Sequence, residues 1–255
     1  MLSNIIEIII LSLIQGVSEF IPVSSSAHLI LASSLYEFKN QSLLIDISLH
    51  LGSLLAILYF FKNDFFNFNK NKNLFYKIII SSIPLIIIGY FVYTTNLIDY
   101  FRNIKTIAWA TLFFGILLYL ADKNKFSKKL DTDFNIRSIL VISLFQALSL
   151  IPGVSRAGIT ITAGRILGFD RTDSTKISFY LSIPALAGAS TLGIKDVLEK
   201  GIEFNILVLF SIIFSFLFSY LTIKYFLAYV KKFTLNIFVY YRVLLAGILL
   251  IIVYS

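Results

Sequence analysis

A carboxylate, three serines and a histidine follow one another closely near the start of the chain. Glu19 lies four residues after Gln15, so the two side chains share one face of a helix. Oxygen ligands at that spacing could bind a hard cation such as Mg²⁺ or Ca²⁺. The alternative is that Glu19 accepts hydrogen bonds from hydroxyl groups in a polar cavity.

The three serines, Ser24 to Ser26, follow a proline that interrupts the preceding helix. They predict the start of a new helix, whose free N–H groups and positive dipole end would point at an anion such as phosphate. Capping that helix would require only one serine. His28 lies three residues after Ser25, within reach on the same face. The pair could act as nucleophile and base, or the imidazole could protonate a leaving group.

A second candidate segment, residues 152–156, lies in the other half of the chain. Ser155 stands at a predicted helix start, and Arg156 follows it directly. A guanidinium group can donate two parallel hydrogen bonds to a phosphate. The alternative is a structural ion pair between Arg156 and Glu19. Because Ala157 replaces the second glycine of Gly-x-Ser-x-Gly and no Gly-Lys-Ser/Thr follows, neither a hydrolase elbow nor a P-loop is predicted.

Other ionisable residues in apolar stretches are harder to interpret. Asp46 and His50 are four residues apart, and Asp46 could orient His28, lie at the rim of a cavity or occupy a plain interface position. Glu7 has no evident partner. Three arginines are predicted to extend towards lipid headgroups rather than take part in chemistry: Arg165, Arg171 and Arg242.

The composition shows which kind of element must position these groups. Hydrophobic residues make up 58% of the chain and charged residues 14%, and the mean hydropathy is +0.86. One core could not hide so much apolar surface from water, so the chain is predicted to lie in a bilayer. The absence of cysteine excludes disulfides and thiolate chemistry, and two histidines leave few ligands for zinc. The net charge of +8 comes from short gaps between apolar runs, so no nucleic-acid partner is predicted.

Six apolar runs are long enough to span a bilayer, near residues 45–61, 76–93, 106–121, 177–192, 204–224 and 235–254. Two further stretches, 2–35 and 138–168, are apolar at both ends and interrupted by Pro, Ser and Gly. Backbone that leaves helical geometry at membrane depth needs protein or water around it. Both stretches are therefore predicted to be re-entrant hairpins that line a cavity.

The charges of the loops predict an orientation. Fourteen of the 22 Lys and Arg residues lie in gaps on one side of the membrane and five on the other. The gaps on the richer side are 62–77, 122–137, 169–176 and 224–234. That side is predicted to be cytoplasmic, with both termini outside.

The two halves of the chain also repeat. An offset of 131 residues pairs Gln15 with Gln146 and Ser24 with Ser155. Each half has an odd number of crossings, so the second half must lie upside down relative to the first. We therefore predict an all-α polytopic membrane protein with an inverted-topology repeat, in which each half has one re-entrant helical hairpin and three transmembrane helices. It would form a single domain, 1–255, whose repeats are 1–121 and 138–255. Pro84 and Pro184 do not correspond under the offset and are predicted to be local kinks.

The assembled motifs resemble the undecaprenyl-diphosphatase family, also called bacitracin-resistance proteins, over the whole chain. They are Gln15-x-x-x-Glu19, Pro22 to His28, Leu51-Gly52-Ser53, Pro152 to Arg156, Ser178-Phe179 and Tyr241-Arg242. The resemblance implies hydrolysis of undecaprenyl diphosphate to the monophosphate and phosphate, which recycles the lipid carrier of cell-wall synthesis. It also implies a divalent cation, Mg²⁺ or Ca²⁺, and a site open to the outer face of the bacterial cytoplasmic membrane.

The family's residues carry over by position. The resemblance implies a catalytic centre of Glu19, Ser25, His28 and Arg156, substrate contacts from Ser24, Ser26, Ser155 and Thr160, and a cation held by Gln15 and Glu19. Two positions depart from the family pattern: Gln15 stands where many members have Glu, and Ala157 where Ser is common. The first departure removes a charge from the cation site, and the second removes a hydroxyl beside the phosphate.

The expected mechanism divides these residues between binding and chemistry. Arg156 and the N–H groups at the start of the helix after Ser24 would hold the diphosphate, and His28 would manage protons. Ser25 would either attack phosphorus or orient an attacking water molecule. The prenyl chain would lie in a groove between spans, against Phe and Ile. The expected partners are this lipid, the bilayer and a second copy of the chain in a homodimer.

A transporter or flippase for a polyprenyl phosphate lipid is the alternative from another functional class. Secondary transporters share the plan of an inverted repeat with broken helices that meet at the midplane. Fold alone does not decide between the two functions. The serine triplet and histidine opposite an arginine favour the enzyme, because transport needs no nucleophile and proton carrier.

Overall fold

The computed structural model of the protein describes residues 2–36, 38, 42–123, 126–199 and 205–254. Their regular structure is helical, apart from one isolated parallel bridge between Lys128 and Phe169. In chain order the helices are α1 (Leu2–Ser18), α2 (Ser25–Leu35), α3 (Leu43–Phe60), α4 (Lys62–Phe66), α5 (Phe68–Thr94), α6 (Leu97–Phe101), α7 (Ile104–Asp122), α8 (Leu130–Asp133), α9 (Ile136–Ala147), α10 (Arg156–Ile166), α11 (Arg171–Glu199), α12 (Ile206–Val230) and α13 (Asn236–Tyr254). A 3₁₀ turn, Leu148–Leu150, follows α9 directly.

The described part of the chain contains six helices long and apolar enough to cross a membrane: α3, α5, α7, α11, α12 and α13. The predicted all-helical, multi-pass architecture is thereby confirmed. The helices that extend furthest beyond the apolar runs that predicted them are α5, which begins at Phe68, and α11, which extends from Arg171 to Glu199. Polar residues at a helix end stop an apolar run without stopping the helix, because they can reach water there.

Three of the lysines counted in the prediction of orientation lie outside the described residues: Lys39, Lys125 and Lys200.

Both interrupted stretches consist of two helices separated by a non-helical break. The first break joins α1 to α2 and the second joins the 3₁₀ turn after α9 to α10. Pro22 and Pro152 lie in the breaks, where a missing N–H leaves no helical hydrogen bond unmade. Pro84 and Pro184 instead lie inside α5 and α11.

Short polar residues begin several of the helices. Ser42 Oγ accepts a hydrogen bond from the Ile45 N–H at the start of α3. Asn side chains do the same at the starts of α7, α9 and α12 (Asn103, Asn135 and Asn205). Each cap satisfies at least one of the N–H groups that lack a partner in the first helical turn, and Asn205 satisfies two. The apolar runs therefore begin at defined residues.

Close helix contacts are made by small and polar residues rather than by large apolar ones. A Cβ atom on Gly52 would lie 2.5 Å from the Ile212 carbonyl oxygen, so the backbones of α3 and α12 can touch only because this residue is glycine. Beside it, Ser53 Oγ lies 2.9 Å from Ser219 Oγ. In lipid, where apolar association drives helices together weakly, such packing and hydrogen bonds hold them.

The core positions the first break against α11. Phe20 is fully buried in the largest apolar cluster, and its ring packs edge-to-face on Phe179 with 5.5 Å between ring centroids. Each phenylalanine follows a polar residue of the candidate site, Glu19 in one case and Ser178 in the other. Burial of the two rings therefore fixes where those polar neighbours lie.

Two of the three arginines expected at the lipid headgroups instead bind a buried carboxylate. Asp122, at the end of α7, lies 3.0 Å from Arg165 Nε and 2.8 Å from Arg171 Nε. Its other oxygen accepts a hydrogen bond from the Leu235 N–H at 3.0 Å. The prediction for Arg165 and Arg171 was wrong because the carboxylate that pairs with them comes from a distant part of the sequence. The network ties the ends of α7, α10 and α11 to the loop before α13.

Candidate active site

The first break has a strained backbone at the residue before α2. Ser24 has a φ of 98°, a left-handed conformation that non-glycine residues rarely adopt. Its side chain makes no capping hydrogen bond, and its Oγ lies 3.4 Å from Ser26 Oγ. The need for a cap on α2 therefore does not explain why a serine stands at position 24. The first N–H groups of α2 have no partner within the helix and remain the anion-binding feature predicted from the sequence.

The second break has the same backbone feature but a different use of its serine. Ser155 has a φ of 72° and its Oγ accepts a hydrogen bond from the Gly158 N–H at 3.0 Å, so this side chain does cap α10. Gly153, with a φ of 94°, lies so close to α7 that a Cβ atom would be 2.6 Å from the Ile107 carbonyl oxygen. A residue other than glycine would displace the break from α7.

An ion pair joins the two breaks. Arg156 Nη2 lies 2.7 Å from Glu19 Oε1, and the two side chains are 11% and 8% exposed. The other terminal nitrogen of Arg156 donates to the Ser178 carbonyl oxygen of α11 at 3.0 Å. The structural pairing that was the alternative for Arg156 is therefore present. It does not exclude phosphate binding, since an anion that enters the site could compete with Glu19 for the guanidinium group.

The second oxygen of Glu19 accepts two hydrogen bonds. Ser25 Oγ donates to Oε2 at 2.7 Å, and Gln15 Nε2 donates to it at 3.1 Å. Glu19 thus has the hydroxyl partner of the polar-cavity alternative. The same contact puts a carboxylate within proton-transfer distance of a serine hydroxyl, which is the geometry of a nucleophile with its base.

His28 does not pair with Ser25, as the spacing had suggested. Its Nδ1 lies 2.6 Å from the Ser24 carbonyl oxygen and its Nε2 lies 2.5 Å from the Tyr241 hydroxyl of α13. Because a carbonyl oxygen only accepts, the neutral ring carries its proton on Nδ1 and accepts the Tyr241 proton on Nε2. Both ring nitrogens are engaged in these two contacts. The structure therefore does not support the suggestion that Asp46 orients the His28 ring. Tyr241 is a functional candidate that appeared in the sequence only as part of the family resemblance.

Thr160 lies behind Arg156. It is fully buried, and its Oγ1 lies 2.8 Å from both the Arg156 carbonyl oxygen and Ser178 Oγ. Ser178 in turn accepts the Arg156 guanidinium hydrogen bond through its carbonyl oxygen. Thr160 therefore supports Arg156 and the α10–α11 contact, and the structure does not bring its hydroxyl to the cavity described next.

A cavity of about 530 Å³ lies at the ion pair. The polar residues of its wall near the two breaks are Ser18, Glu19, Ser24, Ser25, Ser26, His50, Ser149, Ser155 and Arg156. The structure thus brings together most of the predicted site residues. Three predicted site residues do not line the wall: Gln15, His28 and Thr160. Each contacts a residue that does line it.

His50 is a cavity residue that the sequence analysis did not assign to the site. Its Nδ1 lies 2.7 Å from the Asp46 carbonyl oxygen, one turn earlier in α3. The carbonyl requires the proton on Nδ1, so Nε2 of the neutral ring is the nitrogen left for other contacts. The four-residue spacing from Asp46 was visible in the sequence, but the packing of α3 against the breaks was not.

Arg242 was expected to reach a headgroup and is instead fully buried. Its guanidinium group donates to four backbone carbonyl oxygens at 3.0–3.2 Å: those of Pro22, Thr111, Gly153 and Val154. Three of the four carbonyls belong to the two breaks. The prediction was wrong because carbonyls freed by non-helical backbone supply partners that residue types do not reveal. Arg242 therefore connects both breaks to α7 and α13.

The residues predicted to hold a divalent cation fit only part of a site. Gln15 Oε1 is buried without a hydrogen-bond partner, next to the Glu19 carboxylate that Gln15 Nε2 contacts. No group of three or more His, Cys, Asp or Glu side chains suited to a metal ion occurs among the described residues. One carboxylate and one amide suit a cation that also takes phosphate oxygens as ligands, rather than one held by protein groups alone.

Comparison with known proteins gives consistent results over the whole chain. The model of the family described as bacitracin resistance protein BacA matches residues 8–248. An undecaprenyl-diphosphatase of Pelagibacter ubique is 56% identical over 256 aligned residues, which cover all of both chains. Undecaprenyl-diphosphatases of Elusimicrobium minutum and Saccharophagus degradans are 38% and 36% identical. Those alignments cover 96% of this chain, and 97% and 96% of the two relatives.

Proposed function

The chain belongs to the BacA family of bacitracin resistance proteins, and on that premise we propose that it hydrolyses undecaprenyl diphosphate to undecaprenyl phosphate and inorganic phosphate. This reaction recycles the lipid carrier of cell-wall synthesis. The polyprenyl diphosphate reaches the protein from the bilayer that surrounds its six apolar helices. A homodimer and the absence of a nucleic-acid partner stay predictions.

The observation that carries the proposal is a single cavity with a charged end and an apolar end. The charged end contains Glu19, Ser25 and Arg156, and the remaining wall is mostly aliphatic and comes from α5 and α11. A prenyl diphosphate is an anion attached to an aliphatic chain. The cavity is complementary to both parts of that substrate.

Binding of the diphosphate is assigned to the second break and to the start of α2. The Arg156 guanidinium group would exchange its ion pair with Glu19 for phosphate oxygens. The N–H groups of the first turn of α2 would donate to the same anion. His50 and Ser155 line the same end of the cavity and could contact the terminal phosphate. Charge that develops on the phosphoryl group in the transition state is then neutralised by fixed donors.

Ser25 is the proposed nucleophile and Glu19 its base. The Ser25 hydroxyl proton passes to Glu19 Oε2 as the serine oxygen bonds to the terminal phosphorus, and the bridging P–O bond breaks to release undecaprenyl phosphate. Water then attacks the phosphoserine, the serine oxygen leaves with the proton returned by Glu19, and both protons of the water stay on the inorganic phosphate, which departs as H₂PO₄⁻. The contact of 2.7 Å between the serine oxygen and the carboxylate supports this assignment. His28, held by Ser24 and Tyr241, would keep α2 in place and exchange protons with bulk water.

A phosphoserine intermediate separates this route from direct attack by water. We expect acid quenching of a single turnover with terminally ³²P-labelled substrate to leave label on the wild-type protein and none on Ser25→Ala. Ser26→Ala is the control, because Ser26 lines the cavity without contacting Glu19 in the structure. Substantial turnover by Ser25→Ala without labelling would contradict the nucleophile and favour a serine that only orients water.

Gln15 and Glu19 are the residues that would hold a divalent cation, Mg²⁺ or Ca²⁺. Such a cation would neutralise negative charge on the diphosphate oxygens. The protein supplies the Glu19 carboxylate and the buried, unpartnered Gln15 oxygen. Because these are few ligands, the cation is proposed to bind together with the diphosphate rather than before it.

The first test of the function is phosphate release from undecaprenyl diphosphate by the purified protein in detergent, with Mg²⁺ or Ca²⁺ and with EDTA. We expect EDTA to abolish phosphate release, and we expect Mg²⁺, Ca²⁺ or both to restore it. Release that persists in EDTA would contradict the cation. A folded protein that binds the lipid but releases no phosphate with any divalent cation would favour the transporter alternative.

The inverted repeat, with 1–121 and 138–255 as its halves, is proposed from correspondences at the offset of 131. Shifted by that number, α2 coincides with α10, and Ser24 coincides with Ser155, the two serines of left-handed φ at helix starts. The same offset relates α1 to α9, α3 to α11 and α5 to α12. Their contacts correspond as well. In one half α3 and α1 pack on α12, and in the other α11 and α9 pack on α5. If each broken hairpin is re-entrant, each half crosses the membrane three times, and this odd number would make the repeat inverted.

The site is proposed to open to the outer face of the cytoplasmic membrane. The Lys- and Arg-bearing segments 62–77 and 169–176 contain the N-terminal ends of α5 and α11, so those helix ends are assigned to the cytoplasm. The cavity residues of these helices, 85–90 and 184–192, lie in the halves nearer to the opposite ends. The cavity would therefore lie on the outer side of the bilayer midplane.

A further inference from the structure

The apolar end of the cavity lies between two membrane-spanning helices. Residues 85–90 of α5 form one wall and residues 184–192 of α11 form the other. We refer to this space as the α5–α11 slot. It is continuous with the charged end at Glu19 and Arg156, because all of these residues line one cavity.

Two of the side chains that line the slot on its α5 side are also exposed. Ile86 and Tyr90 line it and are 49% and 56% exposed. Near their C-terminal ends the two helices are in contact, because the Tyr93 hydroxyl of α5 donates a hydrogen bond to Asp196 of α11. The slot is therefore closed beyond the cavity at that end and accessible from the side, at a level where both helices are apolar.

Glycine at position 188 keeps the α11 wall thin. A Cβ atom there would meet no atom within 4 Å, whereas one on Gly193, further along the same helix, would lie 2.4 Å from the Ile47 side chain. Packing therefore explains Gly193 but not Gly188. Glycine inside a helix is unfavourable relative to alanine. A glycine that contacts no neighbour and faces a cavity leaves room for something that enters the cavity.

We propose that the α5–α11 slot binds the first isoprene units of the substrate, and that Gly188 sets the width of the slot. The inference rests on the proposed function and extends it to the part of the site that recognises the chain. The aliphatic side chains of the slot are Leu, Ile, Ala and Pro. The groove was predicted to contain Phe and Ile, but no Phe lines the cavity among the described residues.

The size of the cavity limits how much of the lipid it holds. A volume of about 530 Å³ is within the range that encloses a drug-sized molecule. It can take the diphosphate and the nearest isoprene units, while the rest of an undecaprenyl chain leaves through the open side into the bilayer. A long prenyl chain can therefore make contacts along the whole slot, whereas a single isoprene unit reaches only the part next to the diphosphate.

The test compares undecaprenyl diphosphate with dimethylallyl diphosphate, which has one isoprene unit, in Gly188→Ala and Gly188→Leu. We expect Gly188→Leu to raise KM for undecaprenyl diphosphate at least about tenfold, the range in which a pocket discriminates by a few carbon atoms. Its kcat for that substrate should stay close to wild type, and its KM for dimethylallyl diphosphate should change much less than its KM for undecaprenyl diphosphate. Gly188→Ala, which adds no clash, should give a smaller change in the same direction. If dimethylallyl diphosphate is not a substrate, its inhibition constant serves as the same comparison.

Gly247→Leu is the matched control. Gly247 is also in a membrane-spanning helix, a Cβ atom there would also meet nothing within 4 Å, and it does not line the cavity. Unchanged KM for undecaprenyl diphosphate in a folded Gly188→Leu protein would overturn the inference, and so would an equal loss with both substrates or an equal effect of Gly247→Leu. In those cases the wild-type protein still releases phosphate. Absence of release by the wild type would instead overturn the proposed function.

Discussion

Arg156→Ala is expected to lower kcat/KM for undecaprenyl diphosphate at least about a hundredfold, the usual effect of removing a fixed group that stabilises transition-state charge. The variant loses the guanidinium group that joins the two breaks and leaves Glu19 Oε1 without its partner at 2.7 Å. Arg156→Lys should recover only part of the loss, because a single ammonium nitrogen does not reproduce the two separate guanidinium nitrogens that contact Glu19 and the Ser178 carbonyl. The measurement is steady-state phosphate release.

Lys176→Ala is the matched control for charge. Lys176 lies on α11, is 42% exposed, lies 3.5 Å from Asp173 and does not line the cavity. Its removal should leave kcat/KM close to wild type. A folded Arg156→Ala protein whose kcat/KM lay within about tenfold of wild type would contradict the proposed role and leave Arg156 as a structural residue.

Arg242→Met is expected to have the largest effect on stability. Methionine fills similar space but donates no hydrogen bonds, so four buried carbonyl oxygens lose their partner. Leaving buried polar groups unpaired costs about 1–3 kcal/mol each, and partial relaxation makes about 3 kcal/mol a reasonable total. For a chain of this size that corresponds to a fall in Tm of roughly 6–12 °C. Thermal unfolding in detergent measures it.

Activity should fall with stability in this variant even below its Tm. Pro22, Gly153 and Val154 belong to the breaks that carry Ser25 and Arg156, so loss of the common donor releases both. Arg137→Met is the control, since Arg137 is exposed near the start of α9. An Arg242→Met protein with the wild-type Tm would show that the carbonyls find other partners and that the breaks are held by different contacts.

Most of the membrane architecture was predictable because it depends on local composition. Runs of apolar residues must be helical in a bilayer, and their lengths are fixed by its thickness. All six predicted spans are helices, and the interruptions at Pro22 and Pro152 do divide their stretches into two helices each. The ion pair between Glu19 and Arg156 was raised as an alternative, because both breaks concentrate polar residues that the bilayer would otherwise exclude, whereas Ser25 was paired with His28 and its contact with Glu19 was not predicted.

The contacts that could not be predicted are those between positions far apart in sequence. Arg242 donates to carbonyls of residues 22 and 153–154, and carbonyl acceptors have no residue-type signature. Tyr241 reaches His28 across 213 positions. His50 became a cavity residue only through the packing of α3. In each case the residue type was noted, but its partner depends on tertiary structure.

The side opening between α5 and α11 has a consequence for how the rate depends on concentration. A reactant that enters through it is already dissolved in the membrane, so encounters occur by lateral diffusion in two dimensions. The relevant variable is then the mole fraction of the lipid in the bilayer or micelle rather than its molarity in the whole sample. Adding detergent at constant total substrate should slow the reaction by surface dilution, and kinetic constants become comparable between preparations only when expressed per mole of amphiphile.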